Sequence, residues 1–398
     1  MTTTNPFTRS GVFSTISDEL DPPPERLALA RRRYEDLGNW MQQYAAASDR
    51  AVRVYPQGSY NLGTTNRDPF TDEFDFDLVI CVEYDKSEIS QRELNEIVNG
   101  WLGSYVASRK AAGGELAPKA LHKGKRAWTI EYEDPFHMDI LPVVPDLAGD
   151  IVAEGGEPSW LTDKELVRWQ PTNPQGFANH FRRVSYDERL VLAQRAQIDV
   201  EDLPPEGGPK TTLQMVVKLL KRHRDHAFAD DHTGMAPPSA LITALATRAY
   251  EKATPGGGEM TDVISAVVVT MPDMLEELNG ELVVSNPTCE VENYADRYTE
   301  NPAKRKALMG WLAELQSDVA LINGATGLPR VRESVDKAFG DGVGERVAKR
   351  LGESAVHVRD SDRLKSSAAG TLGVAGASAG RSHRPHTFYG DEDGKGSA

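Results

Sequence analysis

The chain has 398 residues, 39% of them hydrophobic and 26% charged, so it is long enough to bury two cores and has the apolar content of a soluble protein. Acidic residues outnumber basic ones by 60 to 45, and the formal charge of −15 argues against long nucleic acid as a substrate. No run of about 18 apolar residues occurs, and the first residues lack the pattern of a signal peptide. We therefore expect a cytoplasmic monomer without membrane contact.

The N-terminal segment and the region after it have different patterns. Residues 1–50 combine a polar leader with a long amphipathic helix from Pro22 to about Ser48, in which apolar residues recur at helical spacing. Residues 51–165 contain a helical stretch near Glu88–Ser108 and four short runs typical of strands: Val52–Tyr55, Phe74–Val82, Ala127–Tyr132 and Met138–Val144. This region predicts a lobe built from a mixed β-sheet with helices.

Residues 166–355 predict a second, mainly helical lobe, so the fold class is α+β with a cleft expected between the lobes. Helical patterns cover six segments: Gly176–Ala196, Thr211–Phe228, Ser239–Lys252, Thr261–Leu278, Pro302–Asn323 and Val331–Gly342. Three connectors rich in Gly or Pro interrupt them: Leu203–Pro209, Met235–Pro238 and Thr254–Gly258. Residues 356–398 become rich in Ala, Gly and Ser and predict a flexible tail, whose aromatic block Thr387–Gly390 is typical of a docking motif.

The most informative motif is a pair of aspartates in the run Glu73-Phe-Asp-Phe-Asp-Leu-Val-Ile. Side chains two residues apart in a strand point to the same side, so Asp75 and Asp77 face together while Phe74 and Phe76 face the core. Two carboxylates this close repel each other unless a cation binds between them, as oxygen-ligated Mg²⁺ does. A lone D-x-D pattern more often marks only the solvent face of an edge strand.

Other motifs accompany this pair and favour a metal site. The run His137-Met-Asp-Ile-Leu-Pro places Asp139 on a second apolar strand, as the third carboxylate that two metal ions need. Upstream, Gly58 and Ser59 follow a strand, where a glycine lets backbone amides approach a phosphate and a hydroxyl can donate to it. The order Gly-Ser, D-x-D, Asp predicts a site for metal ions and phosphate.

These motifs resemble those of the DNA-polymerase-β-like nucleotidyltransferase superfamily. Within it, the chain is similar to the bacterial CD-NTases, relatives of animal cyclic-GMP-AMP synthase and oligoadenylate synthase, over roughly residues 10 to 340. The segment Trp169-Gln-Pro-Thr-Asn-Pro-Gln-Gly-Phe177 resembles the W-x-x-x-N-P-x-G segment of the SMODS type, the second-messenger oligonucleotide or dinucleotide synthetases. The resemblance implies a polymerase-β-like lobe followed by a helical lobe. It also implies that NTPs are joined into a cyclic di- or trinucleotide with pyrophosphate release, in anti-phage (CBASS) signalling.

The resemblance further implies roles for individual residues. Asp75, Asp77 and Asp139 would be catalytic and would hold two Mg²⁺ ions, with Mn²⁺ as an alternative. The residues expected to bind the triphosphate of an NTP are Gln57, Gly58, Ser59, Lys221 and Ser239. From the pattern alone, Lys221 could instead lie on a solvated basic helix face with Lys218 and Arg222, and Ser239 could be a helix N-cap.

Partners and alternative functions complete the expectations. Some CD-NTases have their C-termini gripped by HORMA regulators or joined to targets by ubiquitin-transfer-like partners, so the tail is a candidate site for either. The polar cluster around His223, His226 and His232 lacks Cys partners, and no zinc is expected. Two other functions remain: transfer of a single nucleotide to a small molecule, protein or RNA end, and a nucleotide-binding scaffold.

Overall fold

The computed structural model describes residues 9–45, 50–68, 70–124, 127–162, 168–185, 210–254, 258–360, 364–366, 372–374 and 381–382. The first part of the chain contains two helices followed by an α/β region, with these elements in order: α1 (Arg9–Glu19), α2 (Pro24–Ala45), β1 (Val52–Pro56), α3 (Gly58–Leu62), β2 (Phe74–Val82), α4 (Gln91–Ala112), β3 (Ala120–Lys123), β4 (Trp128–Glu131), β5 (Phe136–Pro145), β6 (Ser159–Leu161) and β7 (Gln170–Thr172).

The rest of the described chain is mainly helical, with small hairpins in its middle. Its elements are, in order: α5 (Pro174–Ser185), α6 (Thr212–Ala227), α7 (Ser239–Ala253), α8 (Met260–Thr270), a 3₁₀ turn (Met271–Met274), β8 (Glu276–Leu278), β9 (Glu281–Val283), β10 (Ser285–Asn286), β11 (Cys289–Asn293), α9 (Asp296–Thr299), α10 (Pro302–Gly324), α11 (Leu328–Phe339), α12 (Val343–Asp360), β12 (Leu364–Ser366), β13 (Leu372–Val374) and β14 (Arg381–Ser382). The α+β class expected from the sequence is confirmed.

The sheet of the first lobe is mixed, as predicted. Its strands lie in the order β1-β2-β5-β4-β3, and β6 and β7 extend it from β5. The central strands β2 and β5 are parallel, and the other strand pairs are antiparallel. Apolar side chains of α2 and α4, including Leu37, Leu94 and Tyr105, share one buried core with Phe76 of β2 and Ile140 of β5. The helices therefore cover one face of the sheet and leave the other face free to carry polar groups.

A separate core holds the helical lobe together. Val216 and Leu220 of α6 are fully buried in it. Phe13 and Ile16 of α1 are also fully buried in this second core, far along the sequence from the helices that surround them. The sequence did not predict α1, because Gly, Ser and Thr lower its helix propensity. Burial of its apolar residues supplies the stability that the local sequence lacks.

Two helix predictions differ from the structure. The helix predicted over Thr261–Leu278 ends at Thr270, because Pro272 has no amide hydrogen to continue the helical pattern. The chain then forms the β8–β9 hairpin, whose turn residues Asn279 and Gly280 have positive φ angles of 54° and 84°. An Asn-Gly pair is a strong hairpin signal that the helical periodicity obscured. In the helix predicted over Gly176–Ala196, α5 accounts for residues up to Ser185, and residues 186–196 lie outside the described residues.

The tail contains some regular structure where its composition predicted none. Strand β12 pairs antiparallel with β13 on one side and with β14 on the other through backbone groups, which composition does not reveal. The aromatic block Thr387–Gly390 and the connector Leu203–Pro209 lie outside the described residues. Within the described part of the chain, no helix is long and apolar enough to cross a membrane.

The segment Trp169–Phe177 forms a joint between the sheet and the helical lobe. Asn173 is fully buried, and its side-chain oxygen accepts a hydrogen bond from the Gly176 amide at 3.1 Å, which caps α5. Its side-chain nitrogen donates to the backbone oxygen of Gly155 at 2.9 Å and to Thr288 Oγ1 at 3.3 Å. A Cβ on Gly176 would lie 2.1 Å from Asn173 Nδ2, so only glycine fits there. The segment Trp169–Phe177, which narrows the resemblance to the SMODS type, therefore holds the sheet and the helical lobe together.

Asn173→Ala is expected to destabilise the protein by about 2–4 kcal/mol, because it removes the cap of α5 and leaves buried polar groups without partners. Equilibrium unfolding in urea measures the change. Asn179→Ala, at an exposed position of the same helix, is the matched control and should change the free energy of unfolding by less than about 0.5 kcal/mol. Equal effects of the two substitutions would show that Asn173 does not hold the joint.

Candidate active site

Three aspartates lie together on the two central strands. The parallel register pairs Asp77 on β2 with Asp139 on β5, and Asp75 with His137. Along β2, the neighbouring Phe74, Phe76 and Leu78 are buried while both aspartates are partly exposed, so the predicted alternation is confirmed. Residues in register on neighbouring strands present their side chains on the same face. Asp75, Asp77 and Asp139 therefore share the face of the sheet opposite its core.

The turn after β1 packs closely against Asp77. The Gln57 amide donates to the backbone oxygen of Asp77 at 2.9 Å, and the Ser59 amide donates to the Asp77 carboxylate. Gly58 lies between them with a φ of 59°, and a Cβ at this position would lie only 2.1 Å from Asp77 Oδ2. Both the left-handed backbone and the close approach require glycine. The structure thus brings all three residues of the predicted phosphate loop to one of the predicted metal ligands.

The carboxylates impose an electrostatic cost on one another. Burial, followed by the charges of Asp75 and Asp139, raises the pKa of Asp77 to about 8, although Lys221 and the Ser59 amide oppose the shift. A cation bound among these groups would reverse that effect, because it favours the ionised carboxylate. The donor set consists of carboxylate oxygens, which are the ligands that Mg²⁺ prefers. The three side chains therefore fit a divalent metal ion in charge and chemistry.

The three aspartates do not form a closed cage for a metal ion. Among the described residues, no three His, Cys, Asp or Glu side chains converge on one point closely enough to form a ready metal cage. On the neighbouring strand β4, Thr129 stands opposite Asp139 in the register, and its Oγ1 donates to Asp139 Oδ1 at 2.6 Å. This bond occupies one carboxylate oxygen and leaves Oδ2 for other partners. Thr129 cannot be found from the sequence alone, because its contact with Asp139 depends on the pairing of β4 with β5.

Lys221 reaches the carboxylates from the helical lobe. Its side chain is 8% exposed, and its Nζ donates to the backbone oxygen of Thr64 at 3.2 Å. Burial lowers the pKa of the Lys221 ammonium, whereas the charges of Asp75 and Asp77 act in the opposite direction. The structure therefore places the Lys221 ammonium near Asp75 and Asp77, and its role in phosphate binding stays a prediction.

The alternative of a solvated basic helix face is wrong. Lys218 is fully buried and pairs with Asp21 at 3.0 Å. Arg222 is also buried, and its Nε donates to the backbone oxygen of Phe339 at 2.8 Å. All residues of α6 from Val216 to His223 are buried, because this part of the helix packs against both lobes, which a single-sequence pattern cannot show.

Ser239 begins α7 but does not cap it. Pro238 is the N-cap of α7 and Ser239 is its first residue, so the alternative that Ser239 caps this helix is wrong. The Ser239 hydroxyl accepts a hydrogen bond from Arg224 Nη2 at 3.1 Å. Arg224 lies one turn after Lys221 on α6. Within the described residues, the structure thus links Ser239 to the helix of Lys221 and not directly to the aspartates.

A cleft of about 200 Å³ opens beside Asp75. Arg67 and Glu73 line it from the first lobe, and Arg222 and Asp225 line it from α6. Asp75 therefore borders a cleft that is lined by residues of both lobes, in agreement with the cleft that the sequence predicted between them.

Known proteins resemble this chain over most of its length. No protein-family model matches the chain. A c-di-GMP synthase from Roseivirga ehrenbergii is 23% identical over 399 residues, which cover 96% of this chain and 99% of that protein. The structure of the Bradyrhizobium diazoefficiens CD-NTase CdnG in complex with GTP is 25% identical, with a TM-score of 0.67 over 86% of this chain and 97% of that chain.

A third similarity supports the fold alone. The structure of E. coli MS115-1 CdnC in complex with HORMA-deltaN is 14% identical, with a TM-score of 0.59 over 82% of this chain and 95% of that chain. All three similarities extend over both lobes rather than over the aspartate motif only. Over both lobes the chain is therefore similar to a c-di-GMP synthase and to a bacterial CD-NTase, the kind of protein that its paired aspartates and Gly-Ser turn resemble.

Proposed function

We propose that the chain joins NTPs into a cyclic di- or trinucleotide and releases pyrophosphate. The observation that carries this proposal is the pairing of Asp77 with Asp139 on adjacent parallel strands, beside Asp75 and the Gly58-Ser59 turn. A nucleotide-binding scaffold has no physical need for three mutually repelling carboxylates, because they weaken the binding of a triphosphate unless cations are present. This arrangement favours catalysis over the scaffold alternative.

Each residue has a role that follows from its charge and place. Asp75, Asp77 and Asp139 would hold two Mg²⁺ ions, or Mn²⁺, which when bound would neutralise charge that develops on the phosphates. The Ser59 hydroxyl would donate to the triphosphate from the turn after β1. Lys221 would add a positive charge from the helical lobe, so that binding of the triphosphate joins the two lobes.

The reaction is a displacement at the α-phosphorus. The oxygen of an acceptor ribose hydroxyl forms the new bond to phosphorus while the bond to the bridging oxygen of the β-phosphate breaks, and pyrophosphate leaves. Asp139 is the carboxylate assigned to the acceptor side. Thr129 holds its Oδ1 and leaves Oδ2 to attract the hydroxyl proton. Two or three such transfers close the ring.

Guanine nucleotides are the first substrates to test, because the Roseivirga relative is a c-di-GMP synthase and the Bradyrhizobium CdnG structure contains GTP. A cytoplasmic role in anti-phage (CBASS) signalling follows from the same likeness. The HORMA protein in the CdnC complex makes a HORMA-type regulator one candidate partner, and a ubiquitin-transfer-like partner at the tail is the other.

Incubation of the pure protein with all four NTPs and Mg²⁺, followed by mass spectrometry, tests the proposal. We expect pyrophosphate and a cyclic product that contains guanine, and we expect EDTA to abolish both. A chain that forms no product from NTPs alone but labels an added acceptor with one nucleotide would support the single-transfer alternative. Binding of NTPs without turnover in the presence of candidate activators would support the scaffold.

A further inference from the structure

Beneath the phosphate-binding turn, two hydroxyl groups form a buried pair. Ser59 Oγ lies 3.2 Å from Thr65 Oγ1, and the two residues are 9% and 8% exposed. The Ser59 amide is already engaged by Asp77, so the hydroxyl is the group of Ser59 that remains for a ligand. What fixes that hydroxyl is therefore Thr65.

The direction of this hydrogen bond follows from the ligand. Each hydroxyl has a single hydrogen to donate, and a phosphate oxygen accepts hydrogen bonds but does not donate them. When a triphosphate oxygen lies against Ser59, the Ser59 hydrogen has to point to it. Ser59 Oγ can then only accept from Thr65, which becomes the donor of the pair. By donating to Ser59 Oγ, Thr65 leaves the Ser59 hydroxyl hydrogen free to form a hydrogen bond to the phosphate.

Thr65 is itself held from the helical lobe. The buried Lys218 donates from Nζ to the backbone oxygen of Thr65, and Asp21 neutralises Lys218 at 3.0 Å. The next residue, Asn66, donates from Nδ2 back to the backbone oxygen of Lys218 at 2.9 Å. Two further bonds from α6 hold the same segment, from Gln214 to Leu62 at 2.9 Å and from Lys221 to Thr64 at 3.2 Å. These contacts keep Thr65 in one place relative to Ser59.

We propose that Thr65 is a positioning residue that orients the Ser59 hydroxyl for triphosphate binding and that α6 fixes it in place. The proposal rests on the function proposed above, in which Ser59 binds the triphosphate. Thr65 itself does not touch the substrate and acts through Ser59 alone.

Thr65→Val tests this role, because valine keeps the shape of threonine and removes only its hydroxyl. We expect the Kd of a non-hydrolysable GTP analogue and the KM for GTP to rise about five- to tenfold, the worth of one hydrogen bond between uncharged groups, while kcat changes less. Thr65→Ser restores the hydroxyl and should bring both constants back toward those of the original protein. Thr247→Val, which removes a buried hydroxyl that bonds within α7, is the matched control and should leave both constants unchanged.

A double-mutant cycle separates positioning from a general structural effect. In the Ser59→Ala background, Thr65→Val should have no further effect on the Kd of the analogue, because the group it orients is gone. Additive effects, or a Thr65→Val protein that binds like the original one, would overturn the proposal. If Thr65→Val does not fold, Thr65→Ala carries the same test; if neither folds while Thr65→Ser does, the hydroxyl serves the fold and positioning is refuted.

The same measurements distinguish this inference from the proposed function. Binding of the analogue with the expected coupling, but no turnover of GTP, would contradict the synthase and keep the role of Thr65. Normal turnover with no coupling between Ser59 and Thr65 would keep the synthase and refute the role of Thr65.

Discussion

Replacement of Asp75 and Asp77 together by Asn is expected to abolish pyrophosphate release from NTPs while the protein stays folded. Asn has nearly the shape of Asp but no charge, so the pair would lose most of its attraction for divalent metal ions. We expect the rate to fall at least about a thousandfold, which corresponds to about 4 kcal/mol of transition-state stabilisation. Because burial and neighbouring charges already raise the pKa of Asp77 to about 8, removal of its charge should not lower the melting temperature.

Two further measurements make this prediction specific. Titration of the protein with Mn²⁺, followed by electron paramagnetic resonance, should show weaker metal binding in the double variant. Glu131→Gln is the matched control, since it changes an acid to its amide at the end of β4 in the same sheet, where Glu131 contacts His122 at 2.9 Å. It should change the rate less than about twofold, as a surface ion pair contributes little. A double variant that retains a tenth of the original rate would contradict the metal-binding role.

The sequence predicted the part of the site that depends on local geometry. The period of two along a strand places Asp75 and Asp77 on one face, and this holds for any strand that carries the run. The pairing of Asp77 with Asp139 could not be predicted from local geometry. It depends on β2 and β5 being parallel neighbours with this register, which periodicity cannot give, and only the order of the motifs and the family resemblance suggested it.

The contacts that sequence reasoning missed all cross between separate elements. Thr129 becomes relevant because β4 pairs with β5, and Thr65 because α6 fixes it against Ser59. The helical pattern leaves open an accessible basic face for Lys218, although this residue is fully buried beside Asp21. A helix covered on all sides by two lobes shows the same local amphipathic pattern as a surface helix. Tertiary placement, not the local residues, decides what these side chains do.

The second large effect is expected at Gly58, where Gly58→Ala should lower turnover about a hundredfold or more. The new Cβ would lie 2.1 Å from Asp77 Oδ2, so either the turn or the Asp77 carboxylate has to move. A displacement of about 1 Å at a reacting centre is enough for a loss of this size. The φ of 59° adds a cost of about 1–2 kcal/mol for any residue with a Cβ, so the protein should also unfold at lower urea concentration.

Gly100→Ala provides the matched control for this substitution. Gly100 is exposed in the middle of α4, and a Cβ there meets nothing within 4 Å. Alanine should therefore stabilise the protein by about 0.5–1 kcal/mol and leave turnover unchanged. If the close approach to Asp77 is what matters, Gly58→Ala will lower kcat more than its loss of stability explains, and Mn²⁺ will bind more weakly. A Gly58→Ala protein with normal kcat and normal metal binding would mean that the turn can retreat from Asp77 without consequence, and that the contact between them is not part of the catalytic arrangement.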